Sequence, residues 1–275
     1  MRILVSGATG NVGGALVRQL VDDADVAVRA VSRRPADAGL PTGVEVVFGD
    51  ADQPDSIATA AQDADAAFVM AAGKDAGALR ALADAGVRRV VYLSALTVQT
   101  RPGFPIGAWQ EAAERDLGRL LPESTILRPG QFASNTLAWR KMIGSGTIYA
   151  PFPDVPTLMI DPYDIAAVAR AVLLDPSGRH AGAAYGLTGA ELITTRRRVE
   201  ILGEVLGHAL QVVEIDRAAA RSQMPLPEAL ADAALELSAN PNAAETEILP
   251  AVQEILGRQP RSFADWVRAN RHDFG

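Results

Sequence analysis

The densest chemical signal in the chain lies near its amino end, in Ile3-Leu4-Val5-Ser6-Gly7-Ala8-Thr9-Gly10-Asn11-Val12-Gly13-Gly14. A short apolar run ends at Gly7, after which Val12, Ala15, Leu16, Gln19 and Leu20 recur at helical spacing. Gly7 permits a sharp turn out of a strand, Gly10 lets the backbone approach an anion, and Gly13 lets helix and strand pack closely. Free amides at a helix N-terminus attract phosphate. Strand, glycines and helix in this order therefore predict a cradle for a dinucleotide's diphosphate, built from Gly7, Thr9, Gly10, Asn11 and Val12.

The next informative segment is Ala30-Val31-Ser32-Arg33-Arg34-Pro35. At the end of a second strand, an acid would hydrogen-bond a ribose 2′-hydroxyl, whereas a cation would pair with a 2′-phosphate. No acid stands here, and two arginines do. A guanidinium matches phosphate bidentately, so Arg33, helped by Ser32 or Arg34, is the expected clamp, and NADP(H) is the expected cofactor.

Other chemistry is excluded or weak. The chain has no cysteine, which removes disulfides, thiolate metal sites and cysteine nucleophiles. Three scattered histidines, His180, His208 and His272, do not suggest a metal centre. With 26 basic and 33 acidic residues the net charge is −7, which opposes general binding to a phosphate backbone, so no nucleic acid partner is expected. Lys74, one of two lysines, could reach a phosphate or a substrate anion, though solvent-facing lysines at helix starts are commoner. Asp161 and Asp164 precede a helix and read as caps. Arg196-Arg197-Arg198 reads as a solvated helix face, and His180, between Gly178 and Gly182, as surface.

These groups need a scaffold. Apolar runs at 3–6, 26–32, 44–48, 66–70, 90–94 and 125–128 alternate with helical stretches. Strands buried on both faces lose their polar alternation, so this rhythm predicts an α/β fold with a doubly wound parallel Rossmann sheet. After residue 146 the rhythm changes. Pro151, Pro153 and Pro156 break a loop, followed by a strand at 157–160, helices at 162–174, 195–206, 227–238, 248–256 and 262–272, and strands at 184–187 and 210–215. The expected division is a nucleotide-binding domain over 1–150 and a smaller α+β substrate region over 151–275, with room for some strands to rejoin the main sheet. The chain's 275 residues and 48% hydrophobic content suffice for this. The first apolar run is only four residues long, far short of a signal peptide or membrane span, so a cytoplasmic protein without membrane contact is expected.

The glycine spacing, Gly49-Asp50-Ala51, Thr125-Ile126-Leu127-Arg128-Pro129-Gly130 with Phe132 and Asn135, and Ile160-Asp161-Pro162-Tyr163-Asp164-Ile165-Ala166 together resemble the NmrA-like branch of the atypical short-chain dehydrogenase/reductases over nearly the whole chain. The resemblance implies Asp50 and Ala51 beside the adenine. It puts Met70, Ala71 and Ala72 beneath the adenosine ribose and diphosphate, and Pro129, Gly130 and Phe132 at the nicotinamide end. Typical members of the wider superfamily use a tyrosine with a lysine four residues later. Here the residues four beyond Tyr92, Tyr149, Tyr163 and Tyr185 are Leu96, Pro153, Ala167 and Gly189. Aligned through Glu114, the two positions hold Ile106 and Gln110, neither of which supplies the usual acid or cation. Gln110 could hydrogen-bond the cofactor, and Ser94 could orient a carbonyl, so these two are the catalytic candidates. Trp109, Phe132, Asn135, Trp139, Tyr149, Phe152 and Met159 are candidates for an acceptor pocket or for plain core.

Hydride transfer needs positioning more than a protein acid, because the nicotinamide carries the chemistry. The leading expectation is an NADP(H)-dependent oxidoreductase acting on a small quinone, ketone or imine. Alternatives are an NADP(H)-sensing regulatory protein without turnover, and a non-redox isomerase or cyclase using the same pocket. A small-molecule substrate is the expected partner, with a homo-oligomer or a regulatory protein partner left open.

Overall fold

The computed structural model describes residues 1–70 and 75–274, so the expectations for Ala71, Ala72 and Lys74 lie outside the described residues. The strands are β1 (Arg2–Val5), β2 (Ala27–Ser32), β3 (Glu45–Phe48), β4 (Ala66–Met70), β5 (Arg89–Leu93), β6 (Thr125–Pro129), β7 (Gln131–Phe132), β8 (Thr147–Ala150), β9 (Thr157–Ile160), β10 (Ala184–Leu187), β11 (Leu192–Ile193) and β12 (Gln211–Glu214). Seven of them form one sheet in the order β3-β2-β1-β4-β5-β6-β10, parallel throughout. The winding reverses between β1 and β4, which pair from Ile3↔Ala66 to Val5↔Phe68. A crevice opens beyond the carboxyl ends of strands at such a reversal.

Burial on both faces explains the apolar runs. Ile3, Val5, Ala66 and Phe68 face one core layer, shared with helices Asn11–Leu20 and Pro162–Leu174. Leu4, Ala67 and Val69 face the other, under helices Pro54–Ala60, Asp75–Asp84 and Ala108–Leu120. With no polar face to present, the strands lose their alternation.

Helix Asn11–Leu20 buries Val12, Leu16 and Leu20 along one stripe and packs on Pro162–Leu174. The latter begins with Pro162 in its first turn, and the Asp161 carboxylate accepts from the Tyr163 amide at 2.8 Å. Asp161 is thus the cap its sequence position suggests. Asp164 goes further. It is fully buried and accepts from Arg258 Nη2 at 2.7 Å and from the Arg261 amide at 2.6 Å, pinning the C-terminal segment to this helix.

Three late elements complete the first layer. Pro162–Leu174 covers the sheet, β10 extends it, pairing with β6 from Ala184↔Ile126 to Leu187↔Pro129, and helix Ala251–Leu256 packs on both. The remaining later elements make the smaller lobe. In it β9 lies between β7 and β11, β8 pairs with β12, and Ile148, Met159, Leu202, Phe263 and Trp266 form a separate core.

His180 is not surface. It is buried, its Nδ1 lies 2.8 Å from the Tyr185 hydroxyl, and Arg179 Nε donates to its Nε2 at 3.1 Å. Burial, and then the Arg179 charge, push its pKa below the ordinary histidine value. The loop folds inward because β10 must meet β6, and Thr125 Oγ1 donates to the His180 carbonyl at 2.7 Å across that junction.

Candidate functional site

The crevice above β1 and β4 is a cleft of about 610 Å³ whose lining includes Gly7, Thr9, Gly10, Arg33, Arg34 and Asp50. Gly7 sits at φ 61°, where other residues are strained. A Cβ on Gly13 would lie 2.2 Å from the Gly7 carbonyl oxygen, so the helix can meet the turn only through glycine. A Cβ on Gly10 would meet that same oxygen at 3.2 Å. The helix has no side-chain cap, and its first intrahelical bond runs from the Gly14 amide to Gly10 at 2.8 Å. The amides of Asn11, Val12 and Gly13 precede that bond and are available to an anion. This cradle fits a diphosphate: it is positive by its dipole, uncapped, and impossible with a side chain at Gly13.

The side chains around it divide their work. Val12 is buried, so only its amide can serve a ligand. Asn11 Nδ2 donates to Ser134 Oγ at 3.1 Å, tying the cradle to the segment after β7. Arg33 and Arg34 are exposed on the cleft, and neither has a carboxylate partner among the described residues. Ser32 Oγ accepts from the Arg34 amide at 3.0 Å, which shapes the turn. Asp50 is held by its own turn: its amide donates to Ser56 Oγ at 2.9 Å and its Oδ1 accepts from the Asp52 amide at 3.1 Å. Ala51 lines the cleft beside it. Met70 crosses over Gly7, with its amide bonded to Ser6 Oγ at 2.8 Å.

Beyond the cradle, Pro129, Gly130 and Phe132 line a second cavity of about 310 Å³, with Ile106, Leu158 and Leu237 among its apolar walls. Its roof comes from Pro241 and Glu245, far along the chain. Arg101 clasps that roof, Nε donating to Glu245 Oε1 at 2.7 Å and Nη2 to Glu245 Oε2 at 2.8 Å and to the Asn240 carbonyl at 2.5 Å. Burial works against the Glu245 carboxylate, yet bonds from Arg101 and the Asn242 amide hold its pKa below the ordinary glutamate value. Sequence reading missed this roof, because nothing in the helical periodicity of 228–239 says which pocket it will cover.

The two catalytic candidates stand elsewhere. Ser94 is buried and lines neither cavity; its hydroxyl donates to Glu114 Oε1 at 2.5 Å. Glu114 in turn accepts from Arg128 Nε at 3.0 Å and Nη2 at 2.5 Å. In this fold Ser94 sits in a part-buried polar triad with Glu114 and Arg128 that joins the end of β5, β6 and a helix. Gln110 is half-buried in the first turn of Ala108–Leu120 and also lines neither cavity, whereas Ile106 faces the second one. Tyr92 offers no acid either. Burial, then the charge and hydrogen bond of Asp75 at 2.9 Å, push its phenol far above the usual range.

Of the expected pocket aromatics, Phe132 lines the second cavity, as does Asn135. Trp109 and Tyr149 are exposed at 61% and 46%, and Met159 belongs to the lobe core. Arg196 and Arg197 form exposed ion pairs with Asp154 and with Glu200 and Glu204, as a solvated face would. Arg198 departs from that reading: it turns inward over the Trp139 ring at 5.0 Å, and burial lowers its pKa to about 10.

An NAD(P)H-binding family profile matches residues 7–176. The chain is 36% identical over 285 residues to a (4-alkanoyl-5-oxo-2,5-dihydrofuran-3-yl)methyl phosphate reductase of Streptomyces griseus, covering 99% of each chain. It is 29% identical over 286 residues to an NAD(P)H azoreductase of Xenophilus azovorans, again covering 99% of each. Among solved structures, the Citrobacter sp. triphenylmethane reductase complexed with NADP(H) superposes with a TM-score of 0.81 at 21% identity, covering 97% of this chain and 99% of that one. The chain belongs to the NAD(P)H-binding family.

Proposed function

We propose that this protein is an NADPH-dependent reductase that passes hydride to a small conjugated acceptor. One observation carries the reading: the chain combines an uncapped glycine cradle, beside two exposed arginines that have no carboxylate partner among the described residues, with an apolar cavity of acceptor size lined by Pro129 and Gly130. The two curated relatives support it, since one is named for reduction of a phosphorylated unsaturated lactone and the other for azo reduction. Residues 1–150 hold the cofactor, and residues 151–275 supply much of the acceptor's enclosure. Amides at Asn11, Val12 and Gly13 take the diphosphate, with Gly7, Thr9 and Gly10 shaping the turn. Ser32, Arg33 and Arg34 take the 2′-phosphate, Asp50, Ala51 and Met70 the adenosine, and Pro129, Gly130 and Phe132 the nicotinamide end.

When bound, the reduced nicotinamide supplies the hydride. The cavity holds a flat acceptor against apolar walls, while the balancing proton comes from solvent, because Ile106 and not an acid stands in the place of the superfamily's tyrosine. No helix among the described residues is long and apolar enough to cross a membrane. The reading places the protein in the cytoplasm, where reduced dinucleotide is supplied.

The test is NADPH oxidation, followed at the reduced nicotinamide band, against quinones, unsaturated lactones and azo dyes, with NADH in parallel. Turnover with NADPH above NADH, reversed or levelled in Arg33→Ala, is expected. Tight NADPH binding with no oxidation by any acceptor would overturn the reductase reading.

A further inference from the structure

Arg198 is the one inward-turned member of its triplet, and its charge is unanswered. Nη2 donates to Thr195 Oγ1 at 2.5 Å and Nη1 touches Met159 Sδ at 3.8 Å. Nε is buried without a partner, and no carboxylate lies within ion-pair distance among the described residues. A buried cation is normally paired, since desolvating it alone is costly. The other inward arginines of this chain obey that rule, Arg128 meeting Glu114 and Arg101 meeting Glu245. Stacking on Trp139 offsets part of the cost, but it satisfies none of the fork's N–H groups.

The position of this guanidinium relates it to the acceptor cavity. Thr157 lines that cavity, and its Oγ1 is 3.7 Å from Met159 Sδ, the atom that Arg198 Nη1 also touches. A single sulfur thus separates a cavity-wall hydroxyl from the unpaired cation. Neither Met159 nor Arg198 lines the cavity itself, so a substituent on a bound acceptor reaches the guanidinium only when the flexible Met159 thioether swings aside.

We propose that Arg198 binds an anionic substituent of the acceptor, a phosphate monoester in preference to a carboxylate, and so sets substrate specificity. A planar fork with free N–H groups matches two phosphate oxygens, and a dianion compensates a desolvated cation better than a monoanion does. The inference rests on the reductase reading for its substrate, but the site itself can be measured without turnover.

The experiment compares wild type, Arg198→Met and Arg198→Lys. Three acceptors are used: 2-(hydroxymethyl)-1,4-naphthoquinone, its phosphate monoester and the corresponding carboxylate. The phosphate ester should lose about 10- to 100-fold in kcat/KM in Arg198→Met, through KM, with partial recovery in Arg198→Lys. The neutral quinone should stay within about twofold, which a merely packing role for Arg198 would not produce. A larger loss for the carboxylate than for the phosphate would overturn the phosphate assignment. Equal losses for charged and neutral acceptors, or none, would overturn the site and leave the reductase reading intact.

Calorimetry of phenyl phosphate with the NADP⁺-saturated protein gives the second readout, with the cofactor's own phosphate sites already filled. Binding by wild type that disappears in Arg198→Met supports the site even if no acceptor is reduced. Binding that is absent, or equal in both, refutes it. Melting curves and NADPH affinity confirm that each variant folds.

Discussion

Gly13→Ala is the most discriminating perturbation of the cradle. The added methyl carbon would sit 2.2 Å from the Gly7 carbonyl oxygen and 2.7 Å from its carbon, both backbone atoms with no rotamer to relieve the clash. Restoring ordinary contact requires helix and turn to part by roughly 1 Å. An amide-to-phosphate bond stretched by that much, from about 2.9 Å, no longer counts as a hydrogen bond. Losing two charge-assisted bonds at roughly 1.5–3 kcal/mol each should weaken NADPH binding by at least about 100-fold. The cost to folding is smaller. Overpacking of about 1–3 kcal/mol is partly offset by the roughly 1 kcal/mol gained when alanine replaces glycine within a helix. The neighbour Gly14→Ala is the matched control, because its Cβ would lie 3.3 Å from the Ala8 carbonyl oxygen and needs only slight adjustment. Fluorescence titration of NADPH, beside thermal melts of both variants, measures the contrast. If Gly13→Ala binds NADPH within about threefold of wild type, the cradle is not where the diphosphate sits.

Three further outcomes follow from the same geometry. Ser94→Ala should cost about 1–2 kcal/mol in denaturant unfolding while changing kcat less than about threefold; a loss of 100-fold or more would return this serine to the chemistry. Glu245→Gln should loosen the roof, raising the acceptor KM with little change in NADPH affinity, as steady-state kinetics and fluorescence titration will show. Because the folded-state pKa of Glu245 is depressed, its stabilisation is fully present above the unfolded value, about 4.3, and is lost as pH falls through the folded value. Acid unfolding of Glu245→Gln should accordingly be less steep over that window than that of wild type, and identical profiles would show that the latch does not titrate with folding.

Much of the scaffold was legible because buried parallel strands and amphipathic helices write their periods directly into the chain. The strands read at 66–70 and 157–160, and the helices at 162–174 and 195–206, coincide with Ala66–Met70, Thr157–Ile160, Pro162–Leu174 and Thr195–Leu206. The reading at 184–187 found β10 and its bounds, but its neighbour emerged only when β10 met the open edge of β6. The family resemblance makes Ser94 a candidate for orienting a carbonyl, but a glutamate twenty residues away in sequence takes up its hydroxyl. His180, between glycines, had the surroundings of a surface loop until the closing of β10 carried it inward.

By itself the sequence determined the glycine cradle, the arginines at the end of the second strand and the layered α/β order. Those features depend on local backbone freedom, on charge and on short-range periodicity. Only the tertiary structure decided that Glu245 roofs the second cavity, that Ser94 serves Glu114, and that Arg198 faces inward without an acid. Each of these depends on which distant side chain arrives in a shared, desolvated space, and in that space the available partner, more than the residue type, settles what a polar group can do.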